Sequence, residues 1–178
     1  MAVVVTARAR GRDNAMAVAW HSSISIKPPL YGVALHPKRF TCQLILESKE
    51  FGINFLPFEE AELIASVGGS KGEEVDKFQR FGITKDEPLK TAVPILERAY
   101  AAYECKLIDH RTYGDHEWLV GEIVAVHSLE EAFTLEGALD WNRISPVLYL
   151  GAELYSPIAK DALRHLDRQL YGKKQRDS

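Results

Sequence analysis

Cysteine, net charge and long apolar runs are all scarce in this sequence. The 178 residues include two cysteines, Cys42 and Cys105, which form no Cys-x-x-Cys pair, so a disulfide scaffold is excluded and no zinc-site spacing is present. Lys plus Arg number 22 and Asp plus Glu number 25, and this net charge of −3 argues against a dedicated nucleic-acid binder. The longest apolar runs, such as residues 15–20, fall far short of the roughly 20 residues that span a membrane.

The N-terminus also lacks the order of a secretory signal, because its apolar residues precede Arg8 instead of following a basic segment. We therefore expect a soluble cytoplasmic protein that has neither nucleic acid nor membrane as a partner. A chain of this length suits a single domain. We expect that domain to cover residues 1–172, followed by a polar tail over 173–178.

Short segments of β-branched or alternating apolar residues dominate the chain and predict strands. The first two strands are expected to form a hairpin around a turn at residues 11–14. The clearest hairpin signal is the later pair of alternating segments on either side of Gly114-Asp115. The predicted strands cover residues 3–6, 15–20, 31–36, 51–56, 103–108, 118–126 and 147–150.

Helical spacing of apolar residues predicts helices over 38–46, 59–67 and 158–170, the last at the C-terminus. Residues 68–88 predict an irregular middle segment. The fold class is therefore mainly β with peripheral helices. A strand-rich chain of this size commonly removes its exposed sheet edges by closing into a barrel.

The common phosphate-loop, dinucleotide-binding and nucleophile-elbow motifs are all absent. A different phosphate site is predicted where the strand at 31–36 meets the helix at 38–46. There Lys38, Arg39 and the Thr41 hydroxyl stand at a helix N-terminus, which offers free backbone N–H groups. Taken alone, this segment is also typical of a basic surface turn with a capping threonine.

Three further constellations have both a functional and a structural interpretation. The glycine-rich residues 66–72, with Lys77 downstream, are able to wrap an anion but are also typical of a surface loop. Asn14 in a turn and Trp20 at a strand end could meet a flat ligand or serve folding alone. His116, directly after a hairpin turn, is either a group that donates or accepts a proton or a plain turn histidine. We expect no metal site.

Several weak motifs follow one another in a fixed order over nearly the whole chain. They are Val3–Thr6, Asn14-Ala15-Met16 with Trp20, Pro28-Pro29-Leu30, Arg39-Phe40-Thr41, Phe51–Asn54, Ser70 to Phe78, Gly114-Asp115-His116, Gly121-Glu122 and Tyr149-Leu150-Gly151. In this order they resemble the flavin reductase-like family with the FMN-binding split-barrel fold, and most closely its flavoredoxin-type members. The resemblance implies a mainly β split barrel with short helices and a C-terminal helix, FMN as cofactor, and a homodimer with FMN near its interface.

The resemblance also implies a role for ten residues of this chain. They are Asn14 and Trp20 at the isoalloxazine, Ser22 and Ser23 along it, Lys38, Arg39, Thr41 and Lys77 at the phosphate, His116 beside the flavin and the nicotinamide, and Tyr149 at a commonly aromatic position. One departure is Ala17, which stands where many relatives carry threonine, so a hydroxyl near the flavin is missing. Tyr100, Tyr103 and Tyr155 are expected to be exposed at the dimer interface.

The function implied is that of a flavin reductase that moves hydride from NADH or NADPH to FMN, with His116 placing the nicotinamide. A first alternative keeps FMN tightly bound and makes the protein a flavoredoxin-like electron carrier that a protein partner reduces. A second alternative is a flavin-free β-barrel interaction module.

Overall fold

Strands are the most common secondary structure in the computed structural model, which describes residues 1–159, 161 and 163–166. The strands are β1 (Val3–Ala9), β2 (Arg12–Val18), β3 (His21–Ser25), β4 (Leu30–Leu35), β5 (Glu50–Phe55), β6 (Lys85–Asp86), β7 (Ile95–Leu96), β8 (Ala101–Tyr113), β9 (His116–Ser128), β10 (Leu148–Gly151) and β11 (Leu154–Ser156). The helices are α1 (Phe40–Ser48), α2 (Ala61–Gly69) and α3 (Lys77–Arg80), and 3-10 turns lie at Phe58–Glu60 and Glu130–Ala132. The predicted mainly β class is confirmed.

Seven strands form one antiparallel sheet in the order β2-β1-β5-β8-β9-β4-β3, and β6–β7 and β10–β11 form two small hairpins. The large sheet curls so that β2 lies against β4 as well as beside β1. Within the described residues β2 has no strand on its outer side, and all three helices contact it instead. This arrangement allows the helices to frame a cleft along β2.

The valines of β1 are buried on both faces of the sheet, which explains their unbroken β-branched run. Val3 and Val5 belong to a core cluster that includes Ile45 of α1. Val4 belongs to a second cluster that includes Ile64 of α2. Because α1 and α2 cover opposite faces of the same strand, β1 is fixed between them.

The hairpin of β1 and β2 is confirmed, but its turn is two residues long and lies earlier than predicted. Ala9 pairs with Arg12, and the two residues between them, Arg10 and Gly11, have φ of 52° and 69°. Positive φ at both positions is the geometry that a two-residue hairpin needs. The expectation that Asn14 sits in a turn is therefore wrong: Asn14 is buried in β2.

The other predicted elements lie near their expected positions, with β4, β5, β10, α1 and α2 shifted by about two residues at most. The long hairpin of β8 and β9 is confirmed with its turn at Gly114-Asp115, since Tyr113 pairs with His116. The irregular middle segment contains one helix that we did not predict, α3. Its N-cap residue is Asp76, whose carboxylate accepts a hydrogen bond from Gln79 N at 3.0 Å.

A buried carboxylate fixes the segment that joins β6 to β7. Glu104 of β8 is fully buried and accepts hydrogen bonds from the backbone N–H groups of Leu89 (2.6 Å), Lys90 (2.8 Å) and Thr91 (2.7 Å). His127 Nε2 lies 2.7 Å from Glu104 Oε1, the oxygen that also accepts from Leu89 N. Burial alone would raise the pKa of Glu104, but these hydrogen bonds hold it at about 2.

Two expectations about aromatic residues are wrong. Trp20 does not end a strand, because β2 stops at Val18, and its side chain is 63% exposed in the bend before β3. Tyr100 is buried and not exposed, and Tyr103 packs its ring against Tyr31 and Phe55 at centroid distances of 5.6 and 5.1 Å. Tyr100 therefore belongs to the core, and the half-buried Tyr103 packs against it.

The predicted C-terminal helix over 158–170 falls largely outside the described residues, as does the polar tail over 173–178. Its described residues 158, 159 and 163–166 lie in no helix. Within the ranges that the structure describes, no helix has both the length and the apolar character to cross a membrane.

Candidate functional site

A cleft of about 590 Å³ runs along β2, between the start of α1, the end of α2 and residues 70–77. It brings together residues that lie far apart along the chain and that the family resemblance assigned to FMN binding. Six of the ten line it: Asn14, Lys38, Arg39, Thr41, Lys77 and His116.

The first turn of α1 opens into this cleft. Arg39 is the N-cap residue, and no side chain caps the helix, so the N–H groups of the first turn remain available to a ligand. Thr41 is buried, and its Oγ1 accepts a hydrogen bond from Asn14 Nδ2 at 2.8 Å, which leaves the threonine proton free to donate. The exposed Lys38 and Arg39 add two positive charges at the rim.

Lys77 places a buried ammonium group in the same cleft. Its Nζ donates to Ala15 O at 2.9 Å and to Val67 O at 2.6 Å, and the side chain is 2% exposed. Burial and the nearby charge of Arg39 lower the pKa of Lys77 to about 8. No carboxylate pairs with it among the described residues. A buried cation without a counter-ion is costly unless an anion joins it, so this group indicates an anionic ligand.

Asn14 forms the floor of this part of the cleft and is not fully satisfied. Its Oδ1 is buried and has no hydrogen-bond partner within the described structure. Gly72 covers it so closely that a Cβ at position 72 would stand 2.2 Å from that oxygen. We call the part of the cleft formed by Asn14, Thr41, Gly72 and Lys77 the anion end.

His116, at the start of β9, also lines the cleft. Its Nδ1 is 2.7 Å from Asp115 Oδ1, and this hydrogen bond lowers the pKa of Asp115. The imidazole is 4.8 Å from the Trp20 ring and 5.6 Å from the His36 ring, measured between centroids. The Nε2 atom of His116 makes no hydrogen bond within the described part of the chain and is free for a ligand.

Trp20 belongs to a second groove of about 410 Å³, which shares His116 with the cleft. Tyr149 lines a third groove of about 530 Å³, which shares Ala17 and Gly68 with the cleft, and its ring lies 5.2 Å from that of Tyr155. Both aromatic residues are therefore neighbours of the cleft rather than parts of its wall.

The structure does not bring Ser22 and Ser23 to the cleft. Both are exposed on β3, the strand at the edge of the sheet, where they pair with Gly32 and Tyr31 of β4. Ser22 Oγ donates to the backbone oxygen of Ser23 at 3.0 Å. In this chain they lie outside all three grooves described above.

Sequence reasoning missed one residue near the site, Arg12. It is exposed at the start of β2 and contacts two residues that line the cleft, Phe40 and Gly72. No sequence motif identifies Arg12 as a site residue, because arginine is a common residue after a hairpin turn. A second difference concerns Lys77, which was expected near phosphate and is found tied to two carbonyl groups as well.

The family described as "Flavin reductase like domain" matches residues 1–156. The chain belongs to this family. A structure of the FMN-binding protein of Thermus thermophilus with bound 1-cyclohex-2-enone superposes with a TM-score of 0.84 at 36% identity, covering 92% of this chain and 89% of that one. The flavoredoxin of Methanosarcina acetivorans gives a TM-score of 0.80 at 28% identity over 93% and 88% of the two chains. The fold is thus the FMN-binding split barrel, as the sequence predicted.

Curated relatives include an uncharacterized protein of Aeropyrum pernix, 33% identical over 150 residues, which are 84% of this chain and 56% of that protein. The chain therefore matches little more than half the length of that relative. The ferric-chelate reductase (NAD(P)H) of Archaeoglobus fulgidus is 29% identical over 134 residues, covering 74% of this chain and 78% of the relative.

Proposed function

We propose that this flavin reductase family member binds FMN in the cleft along β2 and reduces it with NADH or NADPH. The observation that carries this proposal is the buried ammonium of Lys77, which has no counter-ion among the described residues and lines the same cleft as the uncapped N-terminus of α1. A phosphate monoester supplies the missing negative charge. An uncharged ligand would leave the buried cation uncompensated.

The residues of the anion end fit an FMN phosphate. Thr41 has a free hydroxyl proton, Lys77 has a third N–H beyond the two that meet carbonyl groups, and the first turn of α1 adds backbone donors. Arg39 supplies further charge from the rim. The unpartnered Oδ1 of Asn14 is able to accept a hydrogen bond from a ligand hydroxyl, and FMN carries several on its ribityl chain.

The two grooves beside the cleft suit the flat ring of FMN or of the nicotinamide. Trp20 and Tyr149 stand in grooves that open from the cleft on different sides, and each offers an exposed aromatic surface for contact with isoalloxazine or nicotinamide. Ala17, in place of the threonine of many relatives, contributes backbone groups alone. Ser22 and Ser23 are left out of the proposal because they lie outside the cleft.

When bound, FMN supplies the ring that takes a hydride from the dihydronicotinamide and a proton from its surroundings, leaving oxidised nucleotide and reduced flavin. We propose that His116 places the nicotinamide and, as the imidazolium ion with a hydrogen on each ring nitrogen, carries a proton on Nε2 that it can give up in this step. Asp115 accepts from Nδ1, which fixes the ring orientation and leaves Nε2 facing no protein partner among the described residues. The Trp20 side chain lies against one side of the His116 imidazole.

A second candidate function is that of an electron carrier with tightly bound FMN, reduced by a protein partner. The likeness to the Methanosarcina acetivorans flavoredoxin favours it, and so does the absence of a dinucleotide fingerprint from the sequence. It uses the same FMN site. The two functions differ in whether a pyridine nucleotide reduces the flavin.

The test is the visible spectrum of the FMN-loaded protein without air, recorded before and after addition of NADH and then NADPH. Rapid bleaching of the flavin bands by either nucleotide supports the reductase. Bands that survive both nucleotides but bleach with dithionite support the carrier. A protein that retains no FMN and shows no binding in a tryptophan fluorescence titration contradicts both.

We also propose a homodimer. The β10–β11 hairpin exposes Tyr149, Leu150 and Leu154 next to the groove that opens from the cleft, at 39%, 65% and 61%. Covering this apolar patch with a second copy would bury it beside the cofactor. Sedimentation velocity at micromolar concentration tests this: a dimer that Leu150→Glu dissociates supports the proposal, and a monomeric wild type contradicts it.

A further inference from the structure

Residues 71–75 form a short segment whose first four residues line the cleft, yet few hydrogen bonds hold this segment to the rest of the protein. Several hydrogen bonds lie within the segment itself. Glu74 N and Val75 N donate to Lys71 O at 3.1 and 3.2 Å, and Lys71 Nζ pairs with Glu74 at 2.9 Å. Within the described part of the chain, the single hydrogen bond from this segment to another element is the one between Arg12 and Gly72.

Arg12 contacts two walls of the cleft at once. Its Nη2 donates to Gly72 O at 2.7 Å, and its guanidinium carbon lies 4.5 Å from the centre of the Phe40 ring at the start of α1. Both partners line the cleft, whereas Arg12 itself does not. We call this pair of contacts the Arg12 bridge. A planar guanidinium can stack on an aromatic ring and donate along its edge at once, which lysine cannot do.

We propose that Arg12 is a positioning residue for phosphate recognition: the Arg12 bridge holds residues 71–75 over Asn14 so that the anion end is closed around the phosphate of FMN. This inference rests on the proposed function and adds a residue to it. Gly72 packs closely on Asn14, and this is the arrangement of the segment that the Arg12 bridge maintains. Without it, the segment opens more often and the phosphate loses its enclosure.

The first experiment compares FMN with riboflavin, which carries the same ring without phosphate. In Arg12→Met we expect the dissociation constant of FMN to rise about 10-fold, the effect of losing one hydrogen bond to a charged group, and that of riboflavin to stay within about 2-fold. Arg12→Lys keeps the charge but loses the planar bridge, so it should resemble Arg12→Met. Arg10→Met is the matched control, because Arg10 lies in the same hairpin and pairs with Glu47 on the surface.

The second experiment uses the flavin-free protein and limited trypsin, with mass spectrometry to follow cleavage between Lys71 and Gly72. Because cleavage requires local opening, we expect it to be about 10-fold faster in Arg12→Met and Arg12→Lys than in the wild type or Arg10→Met. Added FMN should slow it in the wild type.

Three results would overturn the Arg12 bridge: unchanged cleavage in Arg12→Met, equal loss of FMN and riboflavin binding, or wild-type behaviour of Arg12→Lys in both experiments. The last would mean that only the charge of Arg12 matters. A wild type that binds FMN no tighter than riboflavin instead contradicts the proposed phosphate site, and the trypsin experiment on flavin-free protein still decides whether Arg12 holds the segment.

Discussion

Replacing Lys77 by methionine removes the buried ammonium while keeping a side chain of similar length. If the FMN phosphate accepts a hydrogen bond from Lys77 Nζ, the loss is that of one hydrogen bond between charged groups, about 1.5 to 3 kcal/mol. This corresponds to a dissociation constant for FMN that is about 10- to 150-fold higher. Riboflavin has no phosphate, so its dissociation constant should change by less than about 2-fold.

The pH dependence of binding gives the same variant a second signature. Burial, then the charge of Arg39, lower the pKa of Lys77 to about 8 in the flavin-free protein. Above that pH the amine is neutral and no longer attracts the phosphate. The wild-type affinity for FMN should therefore fall between about pH 7 and about pH 9, by up to about 10-fold per pH unit beyond the pKa, and the affinity of Lys77→Met should not.

The assay is fluorescence titration of the flavin-free proteins with FMN and with riboflavin, at several pH values and constant ionic strength. Thermal unfolding of each variant without ligand serves as the control for folding. The reasoning is refuted if Lys77→Met weakens both flavins equally, or if wild type and variant lose FMN affinity in parallel as the pH rises.

Four further predictions concern other parts of the chain. Gly72→Ala should weaken FMN binding about 10-fold because its Cβ meets Asn14 at 2.2 Å, whereas Gly69→Ala, whose Cβ meets nothing within 4 Å, should not. His116→Ala should raise KM for the nucleotide about 10-fold in stopped-flow reduction, and leave the preference for FMN over riboflavin intact. Glu104→Gln should lower the free energy of unfolding in urea by about 3 kcal/mol, because three backbone N–H groups lose a carboxylate. Between about pH 8 and 10.5 the unfolded chain binds more protons at Lys77 than the folded one, so wild-type stability should rise relative to Lys77→Met.

Local patterns predicted most of the sheet, because buried strands carry β-branched runs and hairpins carry turn residues. Val3–Thr6 and the hairpin around Gly114-Asp115 are examples. The turn before β2 was predicted too late in the chain because asparagine is a common turn residue, and Asn14 was therefore assigned to the turn. Two positive φ values at Arg10 and Gly11 complete the hairpin without it.

The candidate site was predictable in part. The helix start at Thr41 is a local feature of the sequence. Lys77 and His116 were assigned to the site through the ordered motifs that resemble the family. Burial of Lys77 against Ala15 O and Val67 O depends on how β2, α2 and α3 pack, which no segment of sequence shows. The placement of Ser22 and Ser23 outside the cleft likewise follows from the path of β3, a tertiary feature.

The central claim is that the cleft along β2 takes FMN with its phosphate at the anion end. A crystal structure of the protein with FMN tests it most directly. We predict electron density for the phosphate within hydrogen-bond distance of Lys77 Nζ and Thr41 Oγ1, under residues 71–75. FMN bound elsewhere on the chain, or in the cleft with its phosphate away from both groups, would contradict the account.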